Sequence, residues 1–333
     1  MDVVENIARS VSADISYFAF FAFKSAADEA GGILQKSGKN VIICSNVMPV
    51  FNVLDTEPAK NAIRSLFIEK IVDAKGLSKI RDEITGDIIP TPLAVFQGAQ
   101  LLSKGHDPVK GIGDFLAVDV GGATTDVYSM CTGSPSKPNT VIKGLPEPFA
   151  KRSVEGDLGL RYSIESLAVS AIAENIAGDP GIDEPAIREW ISVCKNNPGL
   201  IPENKTIYKK IDEYLACHAV KTAVERHCGI TESFYTPLGE TNLLTGKDLT
   251  NVPLIIGTGG PVINANDPAA VLEKALFDPS RPQFLKPAAP GFLLDKKYIF
   301  AAMGMTGITE PCAALEIMKQ EIVKINNTKN TEA

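Results

Sequence analysis

The segment FLAVDVGGATTDVYSM, Phe115 to Met130, constrains the fold of this 333-residue chain more than any other. Phe115 to Val120 is apolar except for Asp119, as a buried strand is, and Val127 to Met130 resumes the pattern. Between them Gly121 and Gly122 permit a tight reversal, so a strand, a turn and a second strand are expected. The same glycines let backbone N–H groups approach a ligand with no Cβ in the way, and successive N–H groups form an anion-binding concavity. Thr124 and Thr125 add hydroxyl donors. Asp119, at the strand end, and Asp126 place carboxylates where Mg²⁺ can be held through water. A Gly-Gly pair alone is ordinary turn punctuation. Two aspartates flanking Gly-Gly and Thr-Thr are more specific, and they point to phosphate.

Composition removes several partners. The net charge is −7 and no Lys/Arg cluster occurs, which argues against nucleic acid and against an anionic membrane. YFAFFAF, Tyr17 to Phe23, is the most apolar run; it is too short to span a bilayer and is expected to be a buried strand. The opening MDVVENIARSVSAD carries acidic residues and no apolar h-region, so it does not read as a secretory signal. Six scattered cysteines without a CxxC read as free thiols in a reducing cytoplasm. Cys217, His218, His227 and Cys228 in CHAVKTAVERHC sit on one expected helix without metal-ligand spacing, and are read as helix-face residues.

Along the chain, helix and strand signals alternate, which implies a layered α/β fold. SAADEAGGILQKSGK reads as a helix closing at Gly38, ahead of a buried strand at Val41 to Cys44. Thr56 can cap a helix with Pro58 in its first turn, and a further helix over PTPLAVFQGAQLLSKG ends at Gly105. Gly144 to Ser163 reads as a long ordered loop with basic ends at Lys151 and Arg161, facing either phosphate or a partner protein, or simply salt-bridged at the surface. Helices are expected over Ile164 to Ala177, Glu184 to Cys194 and Ile207 to Gly229, forming an all-helical subdomain. Val252 to Ile256 reads as a short buried strand, followed by the turn Gly257-Thr258-Gly259-Gly260 and a helix capped by Asp267. YIFAAMGMTGI reads as another strand, and Glu310 to Ile325 as a last helix.

Two motifs in order, DVGGATTD and IIGTGG with a helical segment between them, resemble the actin/Hsp70/sugar-kinase ATPase superfamily. LAVDVGGATTDVYS, KGLPEPFAKRSVEGDLGLRYS and IIGTGGPVIN resemble one branch of it, the accessory protein of adenosylcobalamin-dependent glutamate (methylaspartate) mutase, over essentially the whole chain from about Ala26. The resemblance implies an actin-like (ribonuclease H-like) α/β fold and an ATP-driven, chaperone-like reactivating factor that releases damaged cobalamin from a stalled mutase. By the same resemblance, Asp119 positions Mg²⁺ or its water and is the catalytic residue, Gly121, Gly122, Thr124 and Thr125 contact phosphate, Asp126 supports the metal or a nearby cation, and Gly257, Thr258, Gly259 and Gly260 back the adenosine.

The superfamily's first phosphate loop, Asp-x-Gly-Ser/Thr, does not precede Asp119. The sequence therefore reads as an N-terminally truncated copy, expected to bind nucleotide weakly and to hydrolyse it negligibly on its own. The expected organisation is residues 1–110 as the remainder of the first α/β half, 111–162 as the phosphate hairpin and branch-specific loop, 163–230 as the helical subdomain, and 231–333 as the second α/β half. A small-molecule kinase on the same fold is the alternative. Scattered cysteines count against an iron–sulfur activator, and a scaffold without ATPase activity stays open, as does homo-oligomerisation.

Overall fold

The computed structural model describes residues 2–10, 17–21, 24–50, 53–74, 89–145, 147–173, 182–237 and 239–326. They fall into two compact units, residues 1–90 and 91–333. Residues 91–110, grouped by sequence with the first region, thus belong by contact to the second.

The first unit contains helix α1 (Asp2–Ser10), strand β1 (Tyr17–Phe21), helix α2 (Lys24–Lys36), strand β2 (Asn40–Cys44) and helix α3 (Glu57–Ala74). The two strands pair in parallel, Tyr17 opposite Asn40 and Phe21 opposite Cys44, with α2 as the crossover. Ala27, Ala30 and Leu34 on α2, with Cys44 and Ala59, supply its buried apolar positions. The expectation of a buried strand at Val41 to Cys44 fails: Cys44 is buried, but Ile43 is 44% exposed. Ala22 and Phe23, the last residues of the YFAFFAF run, lie outside the described residues.

The second unit is a three-layer α/β assembly. Its main sheet is built from β5 (Phe115–Val120), β6 (Thr125–Met130), β8 (Ala150–Glu155), β11 (Leu254–Thr258), β12 (Gly291–Leu294) and β13 (Val323–Ile325). These six strands lie in the order β13-β12-β11-β5-β6-β8. Strand β11 runs parallel to β5 and β12, while the β5–β6, β6–β8 and β12–β13 pairs are antiparallel. Alternation along β5 splits the core, because successive side chains leave a strand on opposite faces. Leu116, Val118 and Val120 join one cluster with α5 (Ile164–Ala173), α6 (Glu184–Asn196) and α7 (Ile207–His227). Phe115 and Ala117 join the other, with α4 (Thr91–Lys104), α10 (Phe300–Thr309) and α11 (Pro311–Glu321). Both faces are covered, so β5 and β6 are buried at every position. A separate three-stranded sheet pairs β7 (Thr140–Lys143), β10 (Gly239–Thr245) and β9 (Ile230–Thr236). The two-residue strands β3 (Gly105–His106) and β4 (Val109–Lys110) form a small hairpin after α4. Two short helices, α8 (Gly260–Ile263) and α9 (Pro268–Leu272), follow β11.

Three local expectations are corrected. Gly144 to Ser163 is not loop throughout, since Ala150–Glu155 forms edge strand β8 on β6. YIFAAMGMTGI is helix from Phe300, not strand. Its Gly304 lies against Gly98 of α4: a Cβ on Gly98 would sit 2.8 Å from the Phe300 carbonyl oxygen, and one on Gly304 1.8 Å from that of Ala94. Small residues let the two helix backbones meet, and that contact, not a strand, is what the glycines serve. Finally, α11 stops at Glu321 and the chain re-enters the sheet as β13. The three helices expected between Ile164 and Gly229 do form, the first described to Ala173 and followed by residues outside the described set.

Candidate functional site

The parallel register of β5 and β11 sets Thr258 opposite Asp119. The turn after each strand therefore emerges at the same sheet edge. Gly121, Gly122, Gly259 and Gly260 line one cavity of about 500 Å³ with Arg161, Lys209, Asp212, Asn264, Lys296, Lys297 and Tyr298. The loop after α6, from Pro198 to Ile201, also lines it. Gly257 and Thr258 lie behind it: Thr258 is fully buried, and a Cβ on Gly257 would press on Leu272 and Val262.

Two glycines here are required by contact. Gly259 has φ +88°, and a Cβ on it would stand 2.2 Å from the Val120 carbonyl oxygen and 2.6 Å from Asp119 Oδ1. The turn is thus held tightly against the Asp119 carboxylate. Gly159 does the equivalent for the other turn, since a Cβ there would lie 2.3 Å from the Ala123 backbone.

Asp119 is 9% exposed, and its Oδ1 has no hydrogen-bond partner among the described residues. Burial, followed by the charges of Asp126 and Asp295, pushes its pKa up to about 7, while a hydrogen bond from the Tyr298 hydroxyl opposes the shift. A buried, unpaired carboxylate oxygen is costly unless something charged comes to meet it. Asp126, directly opposite Asp119 in the β5–β6 ladder, differs. Arg152 donates to its Oδ1 from Nε at 3.0 Å and from a terminal nitrogen at 2.7 Å, and Thr124 Oγ1 donates to its Oδ2 at 2.8 Å. Of the two roles read for Asp126, support of a cation is the one its bonds display, and that cation is Arg152 from β8.

The threonines do not present free hydroxyls to the cavity. Thr124 is committed to Asp126, and Thr125 is fully buried with its hydroxyl donating to the Leu158 carbonyl at 2.8 Å. Thr258 Oγ1 donates to Asp295 Oδ2 at 3.1 Å. What the turns offer a ligand is backbone.

Asp295, just after β12, was not singled out from the sequence. It is fully buried and accepts N–H bonds from Ile299 and Phe300 at 2.9 and 3.2 Å, so it caps the entry to α10 while adding negative charge beside Asp119. The signal was present in LLDKKYIF, an acidic residue closing an apolar run, but reading YIF as strand concealed the cap. Arg161, expected at a loop end facing phosphate, a partner protein or a surface salt bridge, is instead in a buried pair with Asp212 at 2.7 Å, and Tyr298 joins the cavity lining. Lys296 and Lys297, between Asp295 and Tyr298, also line the cavity, with Lys297 paired to Glu321 at 2.7 Å.

Among the described residues no group of three His, Cys, Asp or Glu side chains forms a metal cage. The fit here is to a cation of the Mg²⁺ kind, which keeps several waters and takes one or two carboxylates plus ligand phosphates. Asp119 Oδ1, without a hydrogen-bond partner among the described residues, suits that role once uncovered, because it is sealed behind Gly259 and Asp119 does not itself line the cavity. No helix among the described residues is long and apolar enough to cross a membrane.

Comparison with known proteins gives a consistent family. The profile of the MutL protein family matches residues 23–322. The chain is 42% identical over 305 residues to Protein MutL of Clostridium tetanomorphum, covering 91% of this chain and 65% of that protein's length. The chain belongs to the MutL protein family.

Proposed function

We propose that this chain carries the nucleotide-gripping part of an accessory protein that serves an adenosylcobalamin-dependent glutamate mutase, working as an ATP-driven reactivating factor on an actin-like fold. Family membership supports the accessory role. The observation that carries the nucleotide reading is the meeting of the two glycine turns in one cavity, with the unpaired oxygen of Asp119 buried behind the Gly259 turn.

Each residue's part follows from its chemistry. The backbone N–H of Gly122 would donate to phosphate oxygens, the Gly121 N–H being held by the Thr124 carbonyl at 2.9 Å, and the Gly259–Gly260 turn would back the sugar and base. Asp119 would hold Mg²⁺ through water, and the bound ion would supply charge neutralisation for phosphoryl transfer. Asp126 and Arg152 keep the hairpin rigid, so Asp119 stays where it is needed. Phosphoryl transfer depends chiefly on positioning and on neutralising charge, which is what this residue set offers. Lys296 and Lys297 would draw a polyanion to the mouth of the cavity.

The test is capture of the mutase by the immobilised chain with and without ATP and Mg²⁺, together with calorimetric titration of Mg-ATP. Nucleotide-dependent capture is expected. Capture indifferent to nucleotide, with no heat of ATP binding, would leave a plain scaffold.

A further inference from the structure

Along the cavity wall a linked set of contacts runs from the Gly121–Gly122 turn into the helical layer. Leu160 N–H donates to the Gly121 carbonyl at 3.1 Å, and Arg161 and Tyr162 N–H both donate to the Gly122 carbonyl at 2.8 Å. Ser163 Oγ adds a bond to the Ala123 carbonyl at 3.0 Å. The turn cannot move without carrying residues 160–163 with it.

The Arg161 side chain then leaves that segment for the helices. Its two terminal nitrogens grip Asp212 on α7 at 2.7 and 3.1 Å, a two-bond fork. The same nitrogens donate to the Leu160 carbonyl at 2.8 Å and to the Leu200 carbonyl at 3.2 Å, the latter in the loop that lines the cavity. The guanidinium lies 5.6 Å from the ring of Trp190 on α6. Trp190 in turn donates its indole N–H to Asp212 at 3.3 Å and stacks on Tyr208 of α7 at 5.1 Å. Arg161 and Asp212 are 11% and 7% exposed. An ion pair this buried is a poor source of stability compared with apolar packing. Its geometry does something packing cannot: it fixes one guanidinium to turn, loop and two helices together.

We propose that Arg161 is a positioning residue that couples occupancy of the cavity to helices α6 and α7, with Trp190 registering the change. The coupling rests on the nucleotide reading of the cavity. A ligand that reseats the Gly121–Gly122 turn shifts residues 160–162, and the fork hands that shift to Asp212 and Trp190. Trp190 is the sole tryptophan in the sequence, so the emission reports on its surroundings, where Arg161, Asp212 and Tyr208 meet.

The experiment titrates the full chain with Mg-ATP to millimolar concentration, reading heat of binding and tryptophan emission in parallel. The wild type is expected to show an emission change that follows the same isotherm as the heat. Arg161→Lys keeps the charge but loses the fork and the planar face. Arg161 also lines the cavity, so the affinity is free to change, and the expectation is that the heat of binding that remains comes without the emission change. Asp212→Asn should behave the same way, and it carries the test if Arg161→Lys fails to fold. Thermal unfolding of each variant separates lost coupling from lost structure. Heat without any emission change in the wild type, or a full emission change in a folded Arg161→Lys, overturns the coupling and leaves the nucleotide reading standing. No heat in the wild type at millimolar Mg-ATP sinks the nucleotide reading, and the coupling with it.

Discussion

The two ends of strand β6 bury polar groups on opposite terms. At the cavity end, Asp119, Asp126 and Asp295 gather three carboxylates, and one oxygen of Asp119 is left without a partner among the described residues. At the other end, Ser129 and His227 are both fully buried and fully engaged. His227 Nε2 pairs with Ser129 Oγ at 2.9 Å and its Nδ1 with Ser153 Oγ at 2.7 Å. Lys247 Nζ donates to Ser129 Oγ and to the carbonyls of Pro148 and Phe149 at 3.2, 2.8 and 2.7 Å. The same strand thus has one end that is closed as it stands and one that waits for charge. A satisfied network rigidifies, whereas an orphaned buried group calls for an explanation outside the protein.

The largest effect expected from this contrast comes at the closed end. Lys247→Met removes the donor for several buried acceptors at once and should cost about 3 kcal/mol or more of stability. Urea unfolding measures it. A loss below about 1 kcal/mol would show that water reaches those carbonyls and that the network is not closed. Next comes Gly259→Ala at the open end. The left-handed φ and the contacts with Val120 and Asp119 should cost about 2 kcal/mol and disturb the cavity together. A variant as stable as wild type would mean that the turn is not pressed on the carboxylate.

How far each end could be read in the sequence follows from local pattern. FLAVDV and the glycines after it announce strand and turn because apolar runs and Gly-Gly are local signals. The meeting of that turn with Gly259 depends on a parallel pairing across more than a hundred residues of intervening chain, which no local pattern encodes. Strand β8 is harder still. AKRSVE has no buried face, and its positions are nearly all intermediate in burial, so it lacks the period-two apolar signal. Its role is electrostatic, since Arg152 answers Asp126 and lies 5.8 Å from the Tyr128 ring. The closed network was also out of reach: His227 looks like any helix residue until β6 and β8 bring Ser129 and Ser153 to it.

An effect visible only against pH, and modest near neutrality, separates the ends by sign. Burial first, then the charges of Lys151 and Lys247, lowers the pKa of His227 to about 3 from an ordinary 6.5. The unfolded chain therefore takes up this proton before the folded chain does. Stability from this group is complete above pH 6.5 and falls as pH drops toward 3, by about 1.4 kcal/mol per unit. In His227→Gln that part of the slope should vanish. An unchanged slope between pH 6.5 and 5 would mean that the imidazole is protonated in place.

Asp119 bends the other way, and its effect is the smallest. Its folded pKa of about 7 lies above the ordinary 3.8, so the folded chain holds this proton when the unfolded chain has lost it. The group thus lowers stability as pH rises from about 4 to 7, and the whole penalty is present above 7. Asp119→Asn removes the charge and should stabilise the ligand-free chain at pH 8, with the gain fading as pH falls toward 4. The full pKa displacement corresponds to roughly 4 kcal/mol, but an amide at this position still leaves a buried polar atom short of a partner. A net gain of about 1 kcal/mol is what survives that offset. The same substitution should abolish Mg²⁺-dependent ATP binding, so one change moves stability up and binding down. Differential scanning calorimetry at pH 8 and pH 4.5, with Mg-ATP titration alongside, reads both. If Asp119→Asn is no more stable at pH 8, the carboxylate has a partner in solution and the open end of β6 is closed after all.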